Sequence, residues 1–227
     1  MTTAVGDDVC FTPKSGHWNS VVECPLCAKS GHSTIKLNRT SLPVLLNIGL
    51  PISGLTPMSN ETVRQAVQKT SELFESEPGK AKVKTPPVTA SLSTGLVFRL
   101  NGTRGEIQTD MPPPMGGQAS AETPGWYMRA GLASCIATMI AIRAAQLGIT
   151  LDSLEVTILS EVDWRGPLGL DDSVVPAMTN LQPQVKISAA GVPQALLSEI
   201  VRWGEEHSPV ARTIKAGQLA QATISLG

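Results

Sequence analysis

The fold is decided by the stretch Thr123-Pro-Gly-Trp-Tyr-Met-Arg-Ala-Gly-Leu-Ala-Ser-Cys135-Ile-Ala-Thr-Met-Ile-Ala-Ile-Arg143-Ala-Ala-Gln-Leu-Gly148, which contains the most apolar window of this 227-residue chain. Thr123 is suited to cap a helix, Pro124 to occupy its first position and Gly148 to end it. The stretch is too short and too weakly apolar to span a membrane, and it carries Arg143. It therefore predicts a long helix buried in the core of a protein.

Shorter elements of both kinds flank this helix. Runs with period-2 alternation predict strands, and apolar residues that recur on one face predict helices. The strands are segregated around two helices, which indicates an α+β fold. The predicted elements are, in order, a helix capped by Asn60 and ended at Pro78, a strand over residues 89–100, a hairpin turn at Asn101-Gly102, a strand over 104–110, the central helix, strands over 154–164 and 182–189, an amphipathic helix over 193–206, and a last strand over 222–226.

The composition excludes several classes of protein. The hydrophobic fraction of 41% and the charged fraction of 16% are ordinary for a globular protein. The net charge of −1 gives no electrostatic reason to expect nucleic acid or an anionic membrane as a partner. The chain begins without a secretory signal, and its four cysteines then fit a reduced, cytoplasmic setting.

The first 57 residues differ from the rest, because they show no sustained period of 3.6 or 2. Cys24-Pro-Leu-Cys27 supplies half of a tetrahedral zinc site, which His32, Cys10 or His17 could complete, and a redox dithiol is a second reading. However, no second matching knuckle follows, and the segment resembles sequence that recurs at the starts of unrelated bacterial proteins. We therefore expect a disordered or non-native extension over residues 1–57, with Met58 as the start, and neither a metal nor another cofactor.

Two places in the chain carry a family resemblance. Thr109-Asp-Met-Pro, Gly116-Gly117, Thr123-Pro124 and Leu132-Ala-Ser-Cys135 lead into the central helix, and His207-Ser-Pro-Val210 follows the last one. This order resembles the OsmC/Ohr superfamily, the osmotically induced and organic hydroperoxide resistance proteins, over residues 88–227. Residues 58–87 then form a preceding helix and linker. The resemblance implies an antiparallel sheet packed on a long central helix and a second helix, in an intertwined homodimer.

In the active members of that superfamily, two cysteines reduce organic hydroperoxides, and external thiols such as lipoyl groups act as reductants. The first cysteine forms a sulfenic acid, and the second condenses with it to a disulfide. Cys135 matches the first, but the second falls at Ser208, which cannot form a disulfide. The glutamate placed ten residues before the first cysteine falls on Gly125. Arg99 and Arg104 both lie in the region that supplies an assisting arginine, and either could be its match.

Cys135 has two interpretations. Its neighbours are apolar and it lies about three turns into the helix, so it is either a packing residue or a reactive thiol. His207 stands beside the position of the missing cysteine, where an ion pair could activate Cys135. It is otherwise an exposed histidine that ends a helix.

The segment Asp163-Trp-Arg-Gly166 resembles one found in OsmC-like members that lack the second cysteine. Trp164 and Arg165, with Ser208, are candidates to line a pocket for an apolar molecule with a polar or anionic end. The alternative is a turn-rich connection with a solvated Arg–Asp pair.

These observations leave two hypotheses for a protein of oxidative or osmotic stress defence. The first is a one-cysteine reductase of organic hydroperoxides, in which Cys135, aided by His207, is resolved by an external thiol reductant. The second is a homodimer that binds a small apolar molecule in the former active-site cleft without turnover.

Overall fold

The computed structural model describes residues 59–102, 104–217 and 219–225, so the predictions for residues 1–57 lie outside the described residues. The α+β fold is confirmed. Its helices and strands are α1 (Asn60–Ser76), β1 (Thr89–Thr94), β2 (Val97–Gly102), β3 (Gly105–Thr109), α2 (Pro124–Gln146), β4 (Ser153–Val162), β5 (Met178–Ser188), α3 (Gln194–His207) and α4 (Pro209–Ala216).

Helix α2 is the predicted central helix and begins as its sequence indicates. The Thr123 side chain accepts a hydrogen bond from the Trp126 amide at 3.2 Å, and Pro124 stands at the first position. By length and composition α2 could cross a membrane. One face of it, however, is buried against the domain's other elements at four-residue intervals. The buried residues on that face are Leu132, Ile136, Ile140 and Ala144.

Helix α3 crosses α2 at a close approach that requires glycine. A Cβ added at Gly204 would lie 2.5 Å from Ile140 Cγ1 and 2.9 Å from the Ile140 backbone nitrogen. Such distances are too short for any side chain, so the helices can pack at this spacing only because residue 204 has none.

Strands β4 and β5 form an antiparallel pair that covers the other side of α2. Exposure alternates along β4 with a period of two, as the sequence predicts. Leu154, Val156 and Ile158 pack against the core, whereas Glu155 faces outward and pairs with Lys186 of β5 at 2.9 Å. The pair is therefore a half-buried sheet with an apolar inner face and a largely polar outer one.

Strands β1, β2 and β3 form a separate antiparallel sheet, which we call the meander. The prediction of one strand over residues 89–100 is wrong, because a turn at Gly95, with φ of 53°, divides it into β1 and β2. Glycine adopts that left-handed conformation without steric cost. The predicted hairpin is present, but its turn follows Asn101-Gly102, because these two residues pair with Glu106 and Gly105 at the end of β2.

Three further expectations need correction. Ser59 rather than Asn60 caps α1, and the Asn60 amide instead donates to the Ile149 carbonyl at 2.9 Å, which ties α1 to the end of α2. Helix α4 was not predicted, because its proline follows His207-Ser208 and reads as a helix end. Residues 222–225 are not a strand, since no strand pairs with them in the described part of the chain.

Candidate functional site

Cys135 lies in the middle of α2 and is half-buried. Leu132 and Ile136, on either side of it in the helix, are in the core. In the described part of the chain its thiol is free, and no hydrogen bond to it is found.

The His207 ring is held by its own helix. It stacks on Trp203 with a centroid separation of 4.0 Å and an interplanar angle of 11°. Its Nδ1 lies 2.8 Å from the Trp203 carbonyl oxygen. The Arg143 guanidinium lies 5.1 Å from the centroid of the same indole, so Trp203 contacts both Arg143 and the His207 ring. The structure thus engages His207 with Trp203 rather than with Cys135.

Ser208 serves as a helix cap. It is fully buried, and its Oγ accepts a hydrogen bond from the Ala211 amide at 3.3 Å. This is the usual role of a serine that precedes a helix. The residue at the position of the second cysteine therefore contributes to the start of α4.

Gly125 and Cys135 are far apart within this chain. Both lie on α2, which is continuous, and ten residues at a rise of about 1.5 Å each separate them by roughly 15 Å. A glutamate at position 125 would consequently lie far along the helix from the thiol of the same chain.

The segment after β4 holds Arg165 in a network of its own. Its Nε lies 3.0 Å from Asp163 Oδ1, and its Nη1 lies 3.5 Å from Asp171 Oδ2. The hydrogen bonds from Arg165 lower the pKa of Asp163 to about 2. This is the solvated Arg–Asp pair of the second interpretation, and the guanidinium is engaged within it.

Of the arginines considered to assist the thiol, Arg99 lies on β2 with its Nε 3.8 Å from Glu106 Oε1. Arg104 is exposed in the turn between β2 and β3. Both arginines therefore belong to the meander, whereas Cys135 lies on α2.

Trp164 lines a cavity of about 370 Å³ at the start of α2. The cavity is bounded by apolar side chains from four segments, and Gly125 forms part of its wall. Neither Arg165 nor Ser208 lines it. The lining residues are Met111, Pro112, Thr123, Pro124, Gly125, Val162, Trp164, Pro167, Pro176, Ala177 and Met178. A volume in this range is typical of a site for a small molecule.

A buried carboxylate that the sequence reading missed supports one wall of this cavity. Asp110 is fully buried and accepts hydrogen bonds from the Met111, Gln118 and Ser120 amides at 2.7 to 3.0 Å, and from the Ser120 hydroxyl at 2.8 Å. The Ser120 amide foremost, with the other donors, lowers the pKa of Asp110 to about 2, against burial, which raises it. The signal was an aspartate before a turn-rich loop, a residue type that bonds nearby amides.

Gly117 is required by the same loop. A Cβ at this position would lie 1.8 Å from the Met111 carbonyl oxygen and 2.7 Å from Asp110 Oδ1. Asp110 and Gly117 together fix the segment that places Met111 and Pro112 against the cavity. In the part of the chain that the structure describes, no group of three or more His, Cys, Asp or Glu side chains could hold a metal ion.

Comparison with known proteins agrees with this architecture. Residues 117–220 match the family described as OsmC-like protein. An OsmC-like protein from Mycoplasma pneumoniae superimposes with a TM-score of 0.51 at 16% identity, over 59% of this chain and 89% of that one, which shows the fold. A comparison with curated proteins finds no matching relative.

Two further solved structures resemble the chain at lower TM-scores. The organic hydroperoxide resistance protein OsmC of Legionella pneumophila has a TM-score of 0.42 at 18% identity, over 59% of this chain and 92% of that one. The organic hydroperoxide resistance protein OhrB of Bacillus subtilis also has a TM-score of 0.42, at 17% identity, over 59% and 93%.

Proposed function

We propose that this chain, whose residues 117–220 match the OsmC-like protein family, acts in oxidative or osmotic stress defence by binding a small apolar molecule. The binding site is the cavity beside Gly125 and Trp164. Its ligand is held without covalent chemistry.

The observation that carries this proposal is the cavity itself. It is already formed, and its walls are almost entirely apolar. They come from the segment after β3, the start of α2, and the connection between β4 and β5 with the strand residues that flank it. Removing an apolar molecule from water into such a site contributes about 25 cal/mol for each Å² buried. The thiol offers less support for turnover, because its two companion positions are occupied by a helix cap and a glycine.

We also propose that the protein is a cytoplasmic homodimer. The support is the meander, whose first strand is exposed along its whole length. Leu92 of β1 is 64% exposed and Ile107 of β3 is 47% exposed. A small sheet that leaves apolar side chains this exposed is marginally stable in water by itself. A second copy of the chain would cover these side chains.

Calorimetric titration of the full chain with 2-naphthylmethanol tests the binding proposal. Trp164→Ala removes a large part of the wall, so we expect its Kd to rise about tenfold or more. Leu170→Ala is the control, since Leu170 is 72% exposed in the same segment and does not line the cavity. Equal affinity in the wild type and in Trp164→Ala would overturn the proposal.

A second candidate function is one-cysteine reduction of organic hydroperoxides. It is favoured by the free, half-buried Cys135, whose helix neighbours Leu132 and Ile136 line a second cavity of about 260 Å³. In this reaction the thiolate sulfur attacks one peroxide oxygen, the O–O bond breaks, and the substrate leaves as an alcohol. The resulting sulfenic acid is reduced by an external dithiol, which becomes a disulfide.

Hydroperoxide consumption with a dithiol reductant separates the two functions. Under the reductase hypothesis, Cys135→Ser falls to the background rate while the wild type stays above it. Background rates in both proteins would eliminate the reductase and leave the binding function. His207→Ala is expected to leave alkylation of Cys135 unchanged across pH, because Trp203 holds the histidine ring.

A further inference from the structure

We propose that the cavity beside Gly125 selects a neutral ligand over an anionic one, and that Gly125 sets the depth of the site. This inference rests on the proposed function, since it names the class of molecule that the same cavity takes. It departs from the sequence-based expectation of an anionic end held by Arg165.

The lining offers an anion neutral hydrogen-bond donors but no positive charge. None of its eleven residues is charged. Its side-chain donors are the Trp164 indole N–H and the Thr123 hydroxyl, whose oxygen accepts the Trp126 amide. A carboxylate moved from water into these walls would lose its hydration without gaining a paired charge, which is costly.

The charges around the cavity are predominantly negative. The carboxylate of Asp110 adjoins Met111, and that of Asp163 adjoins Trp164, with Asp171 close behind. Arg165 is the cation nearest in sequence to Trp164, and its guanidinium is divided between Asp163 and Asp171. A second cation, Arg129, donates from its Nε to the Gly125 carbonyl at 3.3 Å. These three carboxylates therefore still exceed the two guanidinium groups by one charge beside the site.

The start of α2 does not offset this excess. A helix N-terminus attracts anions through its unpaired amides and its dipole. Here Pro124 has no N–H, and the Trp126 and Tyr127 amides donate to Thr123 at 3.0 to 3.2 Å. Only the Gly125 amide remains for a ligand at the helix end.

Gly125 determines how far a ligand can enter. A Cβ built there would lie 3.6 Å from Met178 Sδ and 3.8 Å from its Cε, which is ordinary contact. A methyl group would therefore be tolerated and would narrow the cavity. A larger side chain would occupy the space between Gly125 and Met178.

The selectivity test compares 2-naphthylmethanol with 2-naphthoate, which share their ring system and differ in charge. Binding of both to the full chain is measured by calorimetry at pH 7. We expect the neutral alcohol to bind about tenfold or more tightly than the carboxylate. If the carboxylate binds as tightly as the alcohol, the inference fails while the binding function stands. If neither binds, the binding function itself fails.

Two variants assign the effect to this cavity. Gly125→Leu should abolish binding of the alcohol, whereas Gly131→Leu should leave it unchanged, because a Cβ at Gly131 meets nothing within 4 Å. Melting curves establish that both variants are folded, and Gly125→Ala gives an intermediate Kd that does not depend on accommodating leucine. Unchanged binding in folded Gly125→Leu would overturn the role of Gly125.

Asp163→Asn tests the charge argument separately from the shape. Loss of this carboxylate leaves the Arg165 guanidinium with Asp171 alone and removes one negative charge beside the cavity. Affinity for 2-naphthoate should therefore rise about fivefold at low salt, while affinity for the alcohol stays constant. An unchanged preference in this variant would contradict the assignment of selectivity to these charges.

Discussion

The domain around α2 and the meander both contain apolar side chains, but these side chains lie in opposite environments. Ile136 and Ile140 of α2 are completely buried in the core. Ile107 of β3 is 47% exposed, and the whole of β1 is exposed. Both regions have regular secondary structure, so hydrogen bonding does not distinguish them.

The difference lies in what each region packs against. The side chains of α2 pack against α3, α4, β4 and β5 of the same chain. The three strands of the meander pair chiefly with one another, and a small sheet of that kind is marginally stable in water unless something covers an apolar face. The comparison indicates that the core is covered by elements of its own chain, whereas the meander leaves apolar side chains exposed.

The sharpest test is the same substitution in both regions. Ile140→Ala should lower the free energy of unfolding by about 3–4 kcal/mol, because it leaves a cavity in a closed core. Ile107→Ala should cost about 1 kcal/mol or less in a monomer, since half of the side chain is already in water. Urea denaturation followed by circular dichroism measures both values.

Measurements over a range of protein concentrations test whether a second copy covers the meander. If it does, the loss of stability caused by Ile107→Ala should be larger at concentrations that favour association. Comparable losses of stability for the two substitutions in a dilute monomer would show that the meander has a core of its own. That result would contradict the contrast between the two regions.

A smaller effect is expected at the crossing of α2 and α3. Gly204→Ala places a Cβ at 2.5 Å from Ile140 Cγ1, so the helices must separate, at a cost of about 2 kcal/mol. Gly131→Ala is the matched control in α2, where the added methyl group meets nothing within 4 Å and alanine favours the helix. If Gly204→Ala leaves the free energy of unfolding unchanged, the core is packed less tightly than its contrast with the meander requires.

The smallest effect concerns Asp110, which joins the two regions directly after β3. Its pKa is lowered from the ordinary value of 3.8 to about 2, so the stability that it contributes is full above the ordinary value and is lost as pH falls through about 2. Asp110→Asn should therefore lower the melting temperature at pH 7, and its difference from the wild type should shrink toward pH 2. The melting temperature as a function of pH measures this.

Asp172→Asn is the control for that series, since Asp172 is exposed in the segment after β4. It should melt close to the wild type at every pH. A gap between wild type and Asp110→Asn that persists at pH 2 would contradict a role for the ionised carboxylate in holding the 110–120 loop.

Predictions of helix and strand positions from the sequence were correct where a single local signal applied. Thr123 and Pro124 set the start of α2, and the alternation over residues 154–162 gave β4 and its inner face. These signals are local, because a cap or a period acts within a few residues. The failures come from positions where two local rules compete. Ser208-Pro209 reads as a helix end and as a helix start with equal force, and α4 makes it a start.

The candidate site was predictable in part for the same reason. Trp164 was identified from the sequence, and it lines the cavity. Met178 was not, because it meets Gly125 only when β5 packs against the start of α2. Asp110 was not, because its partners, although at most ten residues away, are brought to it by an irregular loop. His207 could not be assigned from sequence either, since only the turn of α3 brings its ring onto Trp203.

By itself the sequence determined the α+β class, the central helix with Cys135 inside it, and the absence of a second thiol at position 208. Only the tertiary structure decided that Ser208 is a buried cap, that Arg165 is engaged by Asp163 and Asp171, and that Gly125 opens into an apolar cavity. The physical reason is that caps and periods are set by neighbouring residues along the chain, whereas the partners of a polar side chain and the walls of a cavity come from segments that meet only after packing.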